Sequence, residues 1–274
     1  MLEDMIEFRG KEPGPTSVIL GGVHGNETCG VEAIRNILPN LAIEKGRVFI
    51  GYGNPRAIAA NQRFTEANLN RMFKPDDQLS QREKESYEYG RAQFLKTYLN
   101  QADALLDIHA SRVQHSRRFV ICEDNGLPTA KYLPADLVVS GLDAVQPGGT
   151  DYYMNSIGKI GVCIECGYLG DPESTDMAVK SIFSFLATRG HVTRETSSRE
   201  QSRLQVFYMY VTKSSSFSLA KPFEDFETLR EGQLIGQDGI EEIHAPRDCV
   251  ILFSGNRQKA GDEAFLLGTY KTTT

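Results

Sequence analysis

The strongest constraint on this chain is a change of pattern partway along it. Up to residue 191, short β-branched runs alternate with amphipathic segments of helical period; beyond residue 192 only strand-like runs remain. The runs at 17–23, 47–53, 104–108, 119–122, 137–140 and 161–166 are too short for ordinary helices and end in glycine or polar turns. Between them, 27–38 sets Val31, Ile34, Ile37 and Leu38 on one face. The segment 80–100 opens with Ser80 and Glu83, the spacing of a capping box, and predicts one helix. A third helix is predicted over 174–186, with Ile182, Phe183 and Leu186 as its apolar stripe. Strands alternating with helices predict a layered α/β domain with helices on both faces of the sheet. The stretch 192–203 is polar and reads as a connector, followed by strand-like runs at 205–212, 217–220, 249–253 and 264–270. The expected organisation is an α/β domain over 1–191 and a small C-terminal all-β domain over 204–274.

Thirty Lys and Arg against thirty-six Asp and Glu give a net charge of −6. Such a surface repels phosphate backbones and anionic lipids, so no nucleic-acid or membrane partner is expected. The start, MLEDMIEFRG, carries acids and no apolar segment, so it does not read as a signal peptide. No stretch approaches the roughly 20 apolar residues of a membrane helix. The five cysteines are few, odd in number and mostly set in apolar runs, which fits reduced thiols and a cytoplasmic location.

Open α/β sheets bind ligands beyond the carboxyl ends of their strands. The first main strand runs into GGVHGNE, where His24 and Glu27 stand three apart at a strand-to-helix junction. Alone, the pair reads equally well as a loop histidine and a helix-start glutamate. His109, in DIHAS, follows another strand and can reach the same rim. Two histidines and a carboxylate with an open fourth position describe a catalytic zinc site. Asp107 shares a strand face with His109, so it can support that imidazole or cap a neighbouring loop. His115, His191 and His244 read as structural. Arg63, Asn70 and Arg71 follow a third strand; an Arg fork matches a carboxylate or a developing oxyanion, or pairs with a surface acid such as Glu66. Glu165 ends an apolar strand in IECG, and apolar surroundings raise a carboxyl pKa towards the range of a general base or acid. Cys163 and Cys166 are three apart in that strand, so their thiols diverge and do not form a C-x-x-C site.

Taken together and in order, GGVHGNE, GNPRA, the Arg63 to Asn70–Arg71 stretch, DIHAS and IECG resemble the succinylglutamate desuccinylase and aspartoacylase family, relatives of the zinc carboxypeptidases. The resemblance covers residues 18–170 and extends to the β segment after 204. It implies a three-layer α/β/α, zinc-carboxypeptidase-like domain and a zinc-dependent deacylase. That enzyme would cleave the amide bond of a small N-acyl amino acid with metal-activated water and one Zn2+ per chain. It implies His24, Glu27 and His109 as metal ligands, Glu165 as the proton carrier, and Arg63 as the residue that polarises the carbonyl. Asn70 and Arg71 would hold the substrate carboxylate. One departure stands out. Where aspartoacylase has an additional arginine about ten residues before the catalytic glutamate, this chain has Asn155, which cannot supply that charge. Tyr152 or Tyr153 falls near a family tyrosine, and Arg112 offers an alternative anion contact or a surface ion pair. A small carboxypeptidase or amidase would use the same metal site, and a non-catalytic metal-binding relative would keep the fold. The C-terminal run resembles lipoyl-carrying domains but lacks their exposed lysine. A homo-oligomer is compatible with the sequence.

Overall fold

The computed structural model describes residues 5–271. The outermost residues of both expected domains, and part of the acid-bearing start, lie outside that range. The first eight strands are β1 (Ile6–Arg9), β2 (Glu12–Gly21), β3 (Lys45–Tyr52), β4 (Ala104–Ser111), β5 (Phe119–Cys122), β6 (Leu137–Ser140), β7 (Ile160–Tyr168) and β8 (Ser202–Val211). The remainder are β9 (Phe217–Leu219), β10 (Glu227–Leu229), β11 (Leu234–Asp238), β12 (Glu241–His244), β13 (Cys249–Leu252) and β14 (Glu263–Tyr270). Eleven form one sheet in the order β1-β3-β2-β4-β7-β5-β6-β8-β14-β13-β10, and β12-β11-β9 form a small antiparallel sheet.

Alternation along the strands builds the layers. Val18 and Leu20 pack with Leu95 and Leu99 of the helix Tyr87–Leu99 on one face. Ile19 points the other way, into a core with Ile34 of the helix Thr28–Ile37 and Ile182 and Phe185 of the helix Ser174–Thr188. This is the expected three-layer arrangement. Cys163 and Cys166 diverge as their spacing requires, into different cores. All five cysteines are free and buried. Among the described residues, no helix is long and apolar enough to cross a membrane.

β2, β4 and β7 are parallel neighbours, so their carboxyl ends share one edge. The register sets His109 opposite Glu165. Both residues sit inside their strands rather than after them, because β4 continues to Ser111 and β7 to Tyr168. β6 pairs in parallel with β8, and β8 pairs antiparallel with β14, so the backbone ladder runs unbroken past the polar connector. Gln201 ties that connector down by donating to the carbonyls of Ala130 and Ala135.

The predicted helix over 80–100 is two helices. Ser80 does form a capping box with Glu83, but only over Gln81–Lys84. Ser86 then turns to extended geometry (φ −73°, ψ 154°) and caps a second helix by accepting from Tyr89 N. Strands β1, β10, β11 and β12 have no counterpart in the sequence expectation.

One side chain fixes the loop between β3 and this second helix. Glu88 is fully buried, and its carboxylate accepts from Asn54 Nδ2 (3.2 Å), Thr65 N (2.8 Å), Thr65 Oγ1 (2.7 Å) and Ala67 N (3.1 Å). Burial alone would raise its pKa, but these bonds outweigh it and hold the carboxyl below its usual value. The loop so fixed carries Arg63, Asn70 and Arg71. Replacing Glu88 by Ala should lower stability by about 2–4 kcal/mol, because several buried donors lose their acceptor. Its depressed pKa makes this contribution complete above the unfolded carboxyl pKa, about 4.3. The contribution is lost as pH falls through the folded value. Urea denaturation of both proteins at pH 7 and near pH 3 should therefore show the difference shrinking in acid.

Candidate active site

The GGVHGNE segment leaves β2 in a tight turn that needs its glycines. Gly22 has φ +69°, and a Cβ on Gly25 would stand 2.0 Å from the backbone carbon of Ala57. Glu27 is the N-cap residue of the helix Thr28–Ile37, yet its side chain makes no capping bond. It turns instead into a pocket. There its Oε1 lies 2.8 Å from His24 Nδ1 and accepts from Arg63 Nη1 at 2.9 Å. Its Oε2 lies 2.8 Å from His109 Nδ1 and accepts from Ala110 N at 3.3 Å.

The surrounding bonds fix the tautomer of His24. Asn68 Oδ1 accepts from Asn70 N, so it is an acceptor, and His24 Nε2, 3.1 Å away, must be its donor. That leaves the lone pair of His24 on Nδ1, a buried atom with no aligned hydrogen bond. His109 Nε2 stands 3.1 Å from Asp107 Oδ2, which Thr150 Oγ1 also holds at 2.5 Å. No aligned hydrogen bond joins that Nε2 to Asp107, while Nδ1 faces Glu27 Oε2. Asp107 supports the imidazole, one of the two roles its spacing allowed. The ligand atoms of His24, Glu27 and His109 all lie within 4.8 Å of one another. Two imidazole nitrogens and a carboxylate converging on one point, with a carboxylate behind one imidazole, form a donor set that fits a divalent metal ion.

The charge states agree. Burial first, and Arg63 second, push His24 down to about 4, so it is neutral at pH 7. Burial opposes the charge on His109, but Asp107 and Glu27 outweigh it and raise its pKa well above the ordinary value. Without an ion, a proton on His109 takes the place of one. Burial, and then the Glu27 charge, push Glu165 up to about 8. Its Oε2 is buried without a partner.

These groups line one pocket, about 850 Å³ counting its open mouth, together with Asn70, Arg71, Arg112 and Tyr152. His24, Glu27, Arg63, Asn70, Arg71, His109, Arg112, Tyr152 and Glu165 thus line the same pocket. Tyr153 does not line it; its hydroxyl donates to Asn100 Oδ1 at 2.7 Å. Asn155 does not line it either. Its amide donates to Asp143 and accepts from Asn125 and Gly161 N. His191 is structural, bonded to Ser17 Oγ and the Lys45 carbonyl.

Other residues were not foreseen. Arg71 gives Nε and Nη2 to the two oxygens of Glu263, at 2.6 Å each, across 192 residues. Gln146 donates to the same carboxylate at 2.7 Å. Arg257 lies beside them, and Ile121, Leu142, Met209, Phe253 and Leu266 form an apolar wall. No local pattern marks any of these, since each acquires its role only when β8, β13 and β14 join the sheet.

Comparison with known proteins agrees with this picture. The succinylglutamate desuccinylase of Shewanella sp. (strain MR-4) is 26% identical over 266 residues, covering 86% of this chain and 76% of that one. The N-acyl-aromatic-L-amino acid amidohydrolase (carboxylate-forming) of Rattus norvegicus is 32% identical over 174 residues, 54% of this chain and 52% of the relative. The crystal structure of a succinylglutamate desuccinylase from Vibrio parahaemolyticus superposes with a TM-score of 0.81, covering 98% of this chain and 87% of that one at 18% identity, a likeness of fold. The family model of the succinylglutamate desuccinylase/aspartoacylase catalytic domain matches residues 13–189, well over half the length, and the chain belongs to that family.

Proposed function

We propose that this protein is a zinc-dependent deacylase that hydrolyses the amide bond of a small N-acyl amino acid. The observation that carries this reading is the convergence of His24, Glu27 and His109 with Glu165 and Arg63 in one pocket. The names of the Shewanella and rat relatives, a desuccinylase and an N-acyl amino acid amidohydrolase, support the same class.

In this reading His24 Nδ1, the Glu27 carboxylate and His109 Nδ1 hold the ion. A zinc ion so held supplies a Lewis acid that brings the pKa of a water from 15.7 to about 7. Glu165 takes the proton of the attacking water and returns it to the nitrogen of the leaving amine; a carboxyl whose pKa is raised towards neutrality can do both. Arg63 donates to the carbonyl oxygen as charge develops there, an interaction of the kind worth about 2.7–4 kcal/mol. Asn70, Arg71, Arg112 and Tyr152 face the rest of the substrate.

The apolar wall favours substrates with an apolar acyl group or side chain, and Asn155 brings no positive charge to a second carboxylate. A carboxypeptidase-like action on peptides would use the same ion. The roof of Met209, Phe253 and Leu266, contributed by residues 204–274, favours a short substrate instead. We assign those residues the role of covering the entrance. The free thiols agree with a cytoplasmic location.

Three measurements test this reading. Zinc titrated into metal-free protein at pH 7 should bind at about one ion per chain and release at least one proton, because His109 and Glu165 both have raised pKa values beside the site. Calorimetry in buffers of different ionisation enthalpy counts the protons, and substituting His24 and His109 together by Ala should abolish binding. Glu165→Gln should keep zinc and fold but lose roughly 10²–10⁴-fold in kcat. In a panel of N-acyl amino acids and short peptides, N-acyl derivatives of apolar amino acids should give the highest kcat/KM. Preference for tripeptides would favour the peptidase.

A further inference from the structure

Among the described residues, four that are not glycine have positive φ: Asn61, His115, Phe226 and Phe253. Asn61 ends the helix Pro55–Ala60 in the left-handed geometry common at helix ends. The other three gather around one carboxylate, that of Asp225. Phe226 (φ +70°) follows it in the chain. Phe253 (φ +52°), just past β13, donates its amide to Asp225 Oδ1 at 2.6 Å. His115 (φ +61°) lies in the loop between β4 and β5. The residue that opens this loop, Ser111, donates its hydroxyl to Asp225 Oδ2 at 2.7 Å, across 114 residues of sequence. Left-handed backbone is unfavourable for a residue with a Cβ, most of all a bulky one. It persists where surrounding bonds over-determine it, and it clusters at functional sites.

The bonds around Asp225 do over-determine it. Ser111 Oγ also accepts from Val113 N at 3.1 Å, which bends the loop at its start. Phe226 N donates to the Ile251 carbonyl at 2.7 Å, which locks the other side onto β13. The rings of Phe226 and Phe253 both pack on Phe119, at 5.0 and 5.9 Å between centroids, and Phe119 is the cross-strand partner of Glu165. Burial raises the Asp225 pKa despite its hydrogen bonds and the nearby Arg112 charge, so its place here has an electrostatic cost. Ser111, Arg112 and Phe253 line the pocket, and Asp225 stands behind them.

We propose that Asp225 is a positioning residue: it ties the loop 112–118, which carries Arg112, to the turn that carries Phe253, and so fixes the mouth of the pocket. Its effect on substrate rests on the deacylase reading; the tie itself is read from the bonds. Without the carboxylate, Phe253 loses the acceptor that holds its backbone left-handed and relaxes to an ordinary φ, which turns its ring away from the pocket. The loop loses its anchor at Ser111 in the same step.

The loop carries its own reporters. Tryptic cleavage of the native protein after Arg112, Arg117 or Arg118, mapped by mass spectrometry, should be roughly fivefold faster or more in Asp225→Ala, because the loop opens more often. With N-acetylphenylalanine as substrate of the zinc-loaded enzyme, Asp225→Ala should raise KM roughly fivefold to tenfold, the loss of an aromatic contact to an apolar group, and leave kcat within about threefold. Asp225→Asn, which keeps an acceptor for the Phe253 amide, should bring KM back to within about twofold of wild type. Added to Phe253→Ala, the Asp225→Ala change should raise KM by less than it does alone, because part of its effect passes through that ring. Unchanged KM, an unchanged rate of tryptic cleavage, no recovery by Asn, or strictly additive losses would each overturn the assignment. Zinc content and circular dichroism identify a misfolded Ala variant. Ser111→Ala, which removes only the bond to Oδ2, then carries the cleavage and KM readouts, with the same directions expected and the same results overturning the assignment. Absence of any N-acyl amino acid turnover by the wild-type enzyme, with tryptic cleavage still governed by Asp225, would sink the deacylase reading and leave the tie standing.

Discussion

Glu27 keeps only 3% of its surface exposed, and a charge buried to that degree survives only if both oxygens find partners. The chain meets the demand from three directions: His24 from the same turn, His109 and Ala110 N from β4, and Arg63 from the loop after β3. Each partner is then fixed in turn. Asn68 sets the tautomer of His24, Asp107 stands behind His109 with Thr150 holding it, and Glu88 anchors the loop that brings Arg63. The arrangement is a hierarchy of buried acids, each holding the donors that the next level needs. Removing a lower member disturbs the reacting groups without touching them.

The parallel register of β2, β4 and β7 makes this hierarchy possible. It stacks three strand ends on one edge and places His109 directly opposite Glu165. Glu165 and His109 are thus cross-strand neighbours, their separation set by backbone hydrogen bonds rather than by flexible loops. Glu165 still differs from Glu27 in charge because it lacks a cation of its own: its Oε2 has no partner, while Glu27 has Arg63. Two glutamates in one pocket are driven apart in pKa by that difference, which suits one to hold a cation and the other to carry protons.

What the sequence made legible is what local spacing encodes. The β-branched runs located the central strands, strand parity put Asp107 behind His109, and the separation of Cys163 and Cys166 sent them to different cores. The glycines of GGVHGNE marked a backbone crossing too close for any Cβ. The misses share a cause as well. Ser86 caps a second helix because a polar residue two positions past a first helix end can restart one, and periodicity does not register the break. Strands β11 and β12 are short and each buries a single large apolar side chain, Ile235 and Ile243, so they carry little apolar signal. Glu88, in the first turn of its helix, reads as solvated until a distant loop folds over it. Glu263 and Arg257 are ordinary turn residues until β14 joins β8.

The unbroken ladder from β6 through β8 to β14 has a kinetic consequence. The roof of the pocket, which carries Met209, Glu263 and Leu266, belongs to the same hydrogen-bonded sheet as the floor, which carries His109 and Glu165. Swinging the roof aside would break several backbone hydrogen bonds together, so hinge closure of the kind that gates many enzymes has no place here. If the chain is the deacylase proposed above, its substrate would pass a mouth of nearly constant width, and the rate of passage would sort molecules by size before any contact inside does.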